Sequence, residues 1–241
     1  MGYLFQIFPD DIDYKLRLLL DIFTLLGIIR VAIWLITILL AAIIGLRVHV
    51  ISRYFPVNLR SKYGPWALVT GATDGVGLEY CREFAAKGLN LIILGRSQEK
   101  LDRVKEELSN GHADIEVVTV QVDLNSDDEQ LYHRIEGQIR PGERDIGVVV
   151  NNAGVMYDSP NKFLDQQESS IWQQVRVNML ATVMVTRIVL PSMLNRRRGL
   201  LINMSSIAAY QPLPLMGLYS ASKVSNSMVL LNSYIFSLWF F

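Results

Sequence analysis

Residues 66–80 read "WALVTGATDGVGLEY", a short apolar run that breaks into glycines and then into a new amphipathic stretch. The apolar run has strand composition, and "GVGLEY" opens a helix. Gly71, Gly75 and Gly77 fall at the turn between them, where the backbone approaches a ligand without a Cβ in the way. The first N–H groups of the following helix lack intrahelical partners and sit at its positive dipole end, a natural seat for a pyrophosphate. A glycine-rich turn can also be no more than a tight connection. The strand before it and the helix after it are the context that a dinucleotide-binding turn requires. Thr73, Asp74 and Val76 complete this candidate cradle.

The same alternation continues down the chain. Apolar runs rich in Val, Ile and Leu predict strands at 66–71, 89–95, 115–121, 146–152 and 199–205. Amphipathic segments predict helices near 76–87, 98–109, 126–139 and 168–195, with a last helix ending near Leu231. Continuous rather than alternating apolar strands, joined by helices, indicate a parallel sheet buried on both faces. The fold class is therefore α/β, a Rossmann-like doubly wound sheet with right-handed crossovers.

Composition bounds the partners. The 241 residues carry 23 basic and 23 acidic side chains, so nothing in the net charge argues for nucleic acid. The hydrophobic fraction of 51% is high for a soluble domain, and the excess lies near the N-terminus. From Ile22 to Leu46 the only charge is Arg30. A helix needs ~20 apolar residues to cross a bilayer core. A cleaved signal peptide would be shorter and end at a small-residue site, so a transmembrane anchor at 22–46 is the expectation. Arg30 can snorkel, pair, or mark the boundary of a re-entrant pair. The expected layout is an N-terminal segment at 1–21, the anchor, a juxtamembrane linker at 47–63 and one domain over 64–241. Lys15 and Arg17 precede the span, whereas Arg47, Arg53, Arg60 and Lys62 follow it, which places the domain on the cytosolic side.

Several conspicuous residues point nowhere special. The single cysteine, Cys81, reads as a small buried hydrophobe. His49, His112 and His133 lie in unrelated segments, and no metal site is expected. "NRRR" at 195–198 reads as a solvated turn rather than a nucleic-acid patch, and the sequon at Asn203 falls in a strand that is a poor glycan acceptor.

The remaining chemistry clusters at predicted strand ends, where open α/β sheets bind ligands. An NAD-selective enzyme usually places a carboxylate after the second strand; here stand Arg96 and Ser97, which suit the 2′-phosphate of NADP(H). Arg96 can equally be a solvated residue at a strand end. Asp123 follows the third strand, and "NNAG" with Asn151, Ala153 and Gly154 closes the fourth. Asn178 lies inside a long helix, Ser205 and Ser206 end the fifth strand, and Tyr219 and Lys223 stand one helical turn apart on one face.

The ordered set TG-x3-G-x-G, NNAG, helix Asn, strand-end Ser and Y-x3-K resembles the classical short-chain dehydrogenase/reductases over about residues 64–230. The leader, "GATDGVG", "GRSQEKL" and "YSASK" are most similar to the microsomal branch. That branch holds 17β-hydroxysteroid dehydrogenases, 3-oxoacyl-CoA reductases and hydroxysteroid-dehydrogenase-like proteins. The resemblance implies that Tyr219 donates a proton to the substrate carbonyl and that Lys223 stabilises the phenolate and holds the nicotinamide ribose. It implies that Ser206, thirteen residues before the tyrosine as is usual in the family, binds the substrate oxygen. Asn178 would hold a water on the proton relay, Asp123 would contact the adenine, and Asn151 and Gly154 would line the adenosine and ribose side.

The tail "NSYIFSLWFF" matches nothing in the family, whose classical members continue past the catalytic helix into a sixth strand and a substrate-covering segment. The fold is therefore expected to be incomplete after about 231, with its C-terminal strands missing and 199–205 left as a bare apolar edge. The combined expectation is a membrane-anchored, NADP(H)-dependent oxidoreductase of the endoplasmic reticulum membrane, acting on a lipid-like ketone or alcohol, with homodimerisation possible. The alternative is a catalytically inactive, truncated isoform with a partner-binding role.

Overall fold

The computed structural model describes residues 14–51, 54–55, 57–140, 142–157, 159–211, 213–231 and 237–240. It divides into two compact units, Met1–Val57 and Asn58–Phe241.

In the first unit a single helix, α1, runs unbroken from Tyr14 to Leu46 and continues as a π-helical turn over Arg47–Ile51. An unbroken helix through Arg30 removes the re-entrant alternative. Its apolar side chains from Leu18 through Ile51 are mostly exposed, and none is buried. The hydroxyls of Thr24 and Thr37 donate back to the carbonyls of Leu20 (2.8 Å) and Ile33 (2.9 Å), so they present no unpaired donor to the surroundings. Leu18–Ile51 is long and apolar enough to cross a membrane.

The second unit opens with the short helix α2 (Leu59–Tyr63) and then alternates strand and helix: β1 (Trp66–Thr70), α3 (Gly75–Ala86), β2 (Asn90–Gly95), α4 (Gln98–Gly111) and β3 (Val117–Gln121). The second half runs α5 (Leu131–Ile139), β4 (Ile146–Asn151), α6 (Glu168–Gln174), a π-helical turn (Val175–Leu180), α7 (Ala181–Asn195), β5 (Leu200–Met204), α8 (Gly217–Leu231) and β6 (Ser237–Phe240). All pairings are parallel, in the order β3-β2-β1-β4-β5-β6. The chain winds outward from β1 in one direction, then from β4 in the other, which opens a crevice at the ends of β1 and β4.

The sheet is buried on both faces, as its continuous apolar strands require. Leu68, Ile92, Leu94 and Val149 pack with α5 and α7 residues such as Ile135 and Val185. Their strand neighbours Val69, Leu91, Ile93 and Val150 face the opposite layer, with Phe84, Leu101 and Val104 of α3 and α4. The second long apolar segment, Glu168–Asn195, passes a length-and-composition test for a membrane span but contributes Val177, Val185 and Val189 to this core.

One expectation is corrected. β5 is not a bare edge: β6 pairs with it in parallel from Leu201–Ser237 to Met204–Phe240. The apolar, β-prone tail supplies backbone donors and acceptors where β5 would otherwise expose its own. Part of the segment that matched no family element thus forms a sixth strand; residues 232–236 lie outside the described residues.

Candidate active site

The glycine turn forms as the sequence predicts. Gly71 has φ +63° and Gly75 φ +53°, the left-handed region that favours glycine. A Cβ on Gly77 would meet the Gly71 carbonyl and the Asn152 amide at 2.4 Å, so only glycine lets α3 pack this closely. Asp74 caps α3, accepting from the Gly75 N–H at 2.7 Å.

Thr70 and Asn152 knit the ends of β1 and β4 together. The Thr70 hydroxyl accepts from the N–H groups of Asn152 and Ala153 (both 3.0 Å), and the Asn152 amide donates to the carbonyls of Thr70 (3.1 Å) and Gly71 (3.0 Å). Above this junction lies a cavity of about 410 Å³. Its walls include Gly71, Thr73, Asp74, Gly75 and Val76 from the turn, and Arg96, Asp123, Ala153 and Gly154 from the other strand ends.

Five of the expected cofactor residues do not line this cavity: Tyr219 and Lys223, which belong to a second cluster, and Gly77, Ser97 and Asn151. Gly77 packs behind the turn. Ser97 caps α4, accepting from the Lys100 N–H at 3.3 Å. Asn151, the last residue of β4, is buried and donates to Thr186 (3.0 Å) and Asn203 (2.8 Å). Successive strand residues face opposite ways, so Asn152 rather than Asn151 reaches the cavity. Asn152, Asn125 and Gln173 are lining residues the sequence reading did not select. The duplicated Asn of "NNAG" carried the signal for the first; nothing in the local pattern marked the other two.

The second cluster forms around α8. Lys223 is buried, its ammonium donating to the Met204 carbonyl at 3.2 Å and lying 5.8 Å from the centre of the Tyr219 ring. Burial pushes the lysine below its ordinary value of 10.5. A Cβ on Gly154 would come within 3.1 Å of that ammonium, so Gly154 borders both the cavity and the lysine.

Asn178 sits fully buried in the π-helical turn. Its side-chain oxygen accepts from the Val155 N–H (2.7 Å), and its nitrogen donates to the Val155 carbonyl (2.8 Å) and the Ser222 hydroxyl (3.0 Å). The amide is therefore spent on joining the loop after β4 to α8. Ser205 donates to the Lys223 carbonyl at 3.0 Å, while Ser206 accepts from the Ala208 N–H at 3.2 Å and keeps its own O–H as a donor.

A doubly wound parallel sheet, a glycine-turn cavity at its switch point and a tyrosine–lysine pair on the adjoining helix define a class of nucleotide-dependent α/β domain. Residues 65–231 match the family model for short chain dehydrogenase, and the chain belongs to that family. It is 40% identical over 162 residues to the very-long-chain 3-oxoacyl-CoA reductase of Bos taurus, covering 66% of this chain and 50% of that protein. It is 35% identical over 179 residues to the human inactive hydroxysteroid dehydrogenase-like protein 1, covering 74% of this chain and 53% of that protein. A solved short-chain dehydrogenase from Sphingobium yanoikuyae in complex with NADPH superposes with a TM-score of 0.63 at 26% identity, covering 73% of this chain and 70% of that one. The chain spans about half the length of the curated relatives it matches.

Proposed function

We propose that the protein is a membrane-anchored, NADP(H)-dependent oxidoreductase that interconverts a ketone and a secondary alcohol on a lipid-like substrate, a steroid or a long-chain 3-oxoacyl-CoA. The observation that carries this reading is the buried Lys223 beside Tyr219, bordered by Gly154 at the end of the glycine-turn cavity.

The cavity fits a dinucleotide. Gly75 lines it with nothing within 4 Å of a Cβ position, leaving room for phosphate against the start of α3. Arg96 is exposed at its rim and offers a guanidinium to a 2′-phosphate, while Asp123 stands ready for the adenine side. The bound nicotinamide supplies or accepts hydride. Tyr219 donates the phenolic proton to the carbonyl oxygen, and Ser206, whose O–H has no acceptor among the described residues, hydrogen-bonds that oxygen. Lys223 places a positive charge where the phenolate forms. Asn178 holds the Val155 loop and α8 in register; a water carried by its surroundings would link Lys223 to solvent. The NADPH-bound neighbour and the 3-oxoacyl-CoA reductase relatives support the cofactor and substrate classes. The open apolar helix supports placement in a membrane, with the endoplasmic reticulum and a cytosol-facing domain as the proposed location.

A second reading, a non-catalytic partner-binding protein, has one support: the similarity to relatives named inactive. Reconstituted protein assayed with NADPH against steroid ketones and 3-oxoacyl-CoAs separates the two. The first reading expects turnover that Tyr219→Phe abolishes while NADPH binding persists. It also expects NADPH to bind at least about tenfold tighter than NADH, since one charged hydrogen bond of ~1.5–3 kcal/mol suffices, with Arg96→Asp reversing the order. Cofactor binding without turnover on either substrate class favours the second.

A further inference from the structure

Equal numbers of acids and bases conceal a polarity across the sheet. Because every strand is parallel, the strand starts share one edge and the strand ends the other. At the starting edge Arg60 and Lys62 precede β1, and Lys87 precedes β2. Arg140 and Arg144 precede β4, and the Arg196–Arg198 run precedes β5. Carboxylates there are fewer. Glu83 meets Lys87 at 3.3 Å, Glu143 meets Arg140 at 3.2 Å, and Asp145 pairs with Arg196 and Arg198; Asp114 and Glu116 stand apart, before the outer strand β3. The finishing edge carries Asp74, Asp123, Asp127, Asp128 and Asp165 together with Arg96, Lys162, Arg134 paired to Asp128 at 2.5 Å and Arg176 on the Asn125 carbonyl, so it lacks the excess of bases found at the starting edge.

The basic segments form one continuous surface. Arg60 donates to the Gly88 carbonyl at 2.5 Å, and the Asn90 N–H to the Pro65 carbonyl at 2.8 Å. The Trp66 N–H reaches the Asp145 carbonyl at 3.2 Å, and Arg196 the Ile146 carbonyl at 2.9 Å. Lys62, Lys87, Arg140, Arg197 and Arg198 are exposed. This is also the edge at which the chain enters the domain, through α2 into β1.

We propose that this basic edge docks the domain on the anionic lipid headgroups of the bilayer that α1 enters. The proposal rests on the anchoring part of the reading above. Few residues separate the end of the helical segment at Ile51 from α2 at Leu59, so the chain reaches this edge of the domain soon after the apolar helix. An anionic leaflet attracts each nearby lysine or arginine, and guanidinium groups bind phosphate in a two-pronged fashion. Docking by this edge leaves the cavity and Tyr219, at the opposite edge, open to the aqueous side.

The test uses the full chain in vesicles of phosphatidylcholine alone or with about 30% phosphatidylserine, and follows tryptic cleavage in the turn at 195–198. Docking predicts cleavage there slowed about tenfold or more by phosphatidylserine and restored by about 0.5 M salt, with cleavage at Lys162 on the opposite edge unchanged. The combined variant Lys87→Gln, Arg140→Gln, Arg197→Gln, which touches exposed side chains and keeps Arg196 and Arg198 as cleavage sites, should lose most of the protection. Protein that fails to co-sediment with phosphatidylcholine vesicles refutes the anchor itself. Protein that co-sediments but is cleaved equally on both vesicles, or is protected at Lys162 instead, or is protected by RNA but not by phosphatidylserine, overturns the docking.

Discussion

Lys223 is a lysine placed where a lysine is costly. Its ammonium has one protein acceptor among the described contacts, the Met204 carbonyl, and burial depresses its proton affinity. The stability consequence has a definite sign. Below the depressed folded value the group is charged in both folded and unfolded chains, and the folded state bears the full burial penalty. As pH rises from that value towards 10.5, the unfolded chain binds more protons than the folded one, so stability increases with pH across that window. Lys223→Met should therefore be more stable than the parent at neutral pH, and the gap should narrow as pH approaches 10.5. Chemical denaturation midpoints measured across that range check it; a parent that is the more stable at neutral pH would show that the lysine's hydrogen bond outweighs its desolvation. Such a cost at this position is what the proposed proton-transfer role of its neighbour Tyr219 calls for.

Elements meet the site through the π-helical turn at Val175–Leu180, which interrupts what the sequence reads as one helix over 168–195. There Asn178 satisfies both backbone groups of Val155 and reaches Ser222 on α8, so one amide joins three segments. Asn178→Ala would strand those groups, at ~1–3 kcal/mol for each that stays dry, giving a loss of about 2–4 kcal/mol. Amide hydrogen exchange should rise in 153–157 before it rises in β1 or β4, whereas uniform acceleration would mean that Asn178 supports the whole fold rather than this junction. The sheet itself was legible: β1, β2, β4 and β5 form within a residue or two of the apolar runs, because double-sided burial demands uninterrupted Val, Ile and Leu. The glycine turn was legible for a similar reason, since left-handed backbone and close approach leave few other choices. What was not legible depended on tertiary partners. The π-turn has the composition of ordinary helix, and its distortion is visible only beside Val155 and Ser222. Asn151 and Asn152 are the same residue type, one the last of β4 and the other just beyond it, and which one reaches the cavity depends on the packing around them. The pairing of Ser237–Phe240 with β5 follows from an unfilled edge, which no local pattern in "SLWF" records.

At the scale of the whole molecule the question is whether α1 decides where the protein resides. Its side chains between Leu18 and Ile51 are mostly exposed, with none of the span buried. Fully burying a Leu, Ile or Val is worth ~1.5–3 kcal/mol, so a run of well over a dozen yields tens of kcal/mol on transfer to lipid. Against this, one arginine at a helix centre costs ~2.5–3.5 kcal/mol on insertion scales, less if it snorkels. Arg30 cannot reverse that balance. The basic edge contributes at most ~1 kcal/mol per lysine or arginine near the surface, and salt removes it. The proposed hierarchy is therefore a helix that anchors and an edge that orients. Deleting residues 1–57, the whole first unit, should move the protein out of the carbonate-resistant membrane fraction while leaving the melting transition of the Asn58–Phe241 unit in place. The deleted protein should still associate with phosphatidylserine vesicles at low salt and detach at high salt. If it stays in the membrane after carbonate, apolar surface outside α1, such as the exposed Phe163, Leu164 and Ile207 on the loops after β4 and β5, holds it there, and the edge facing the bilayer is the catalytic one.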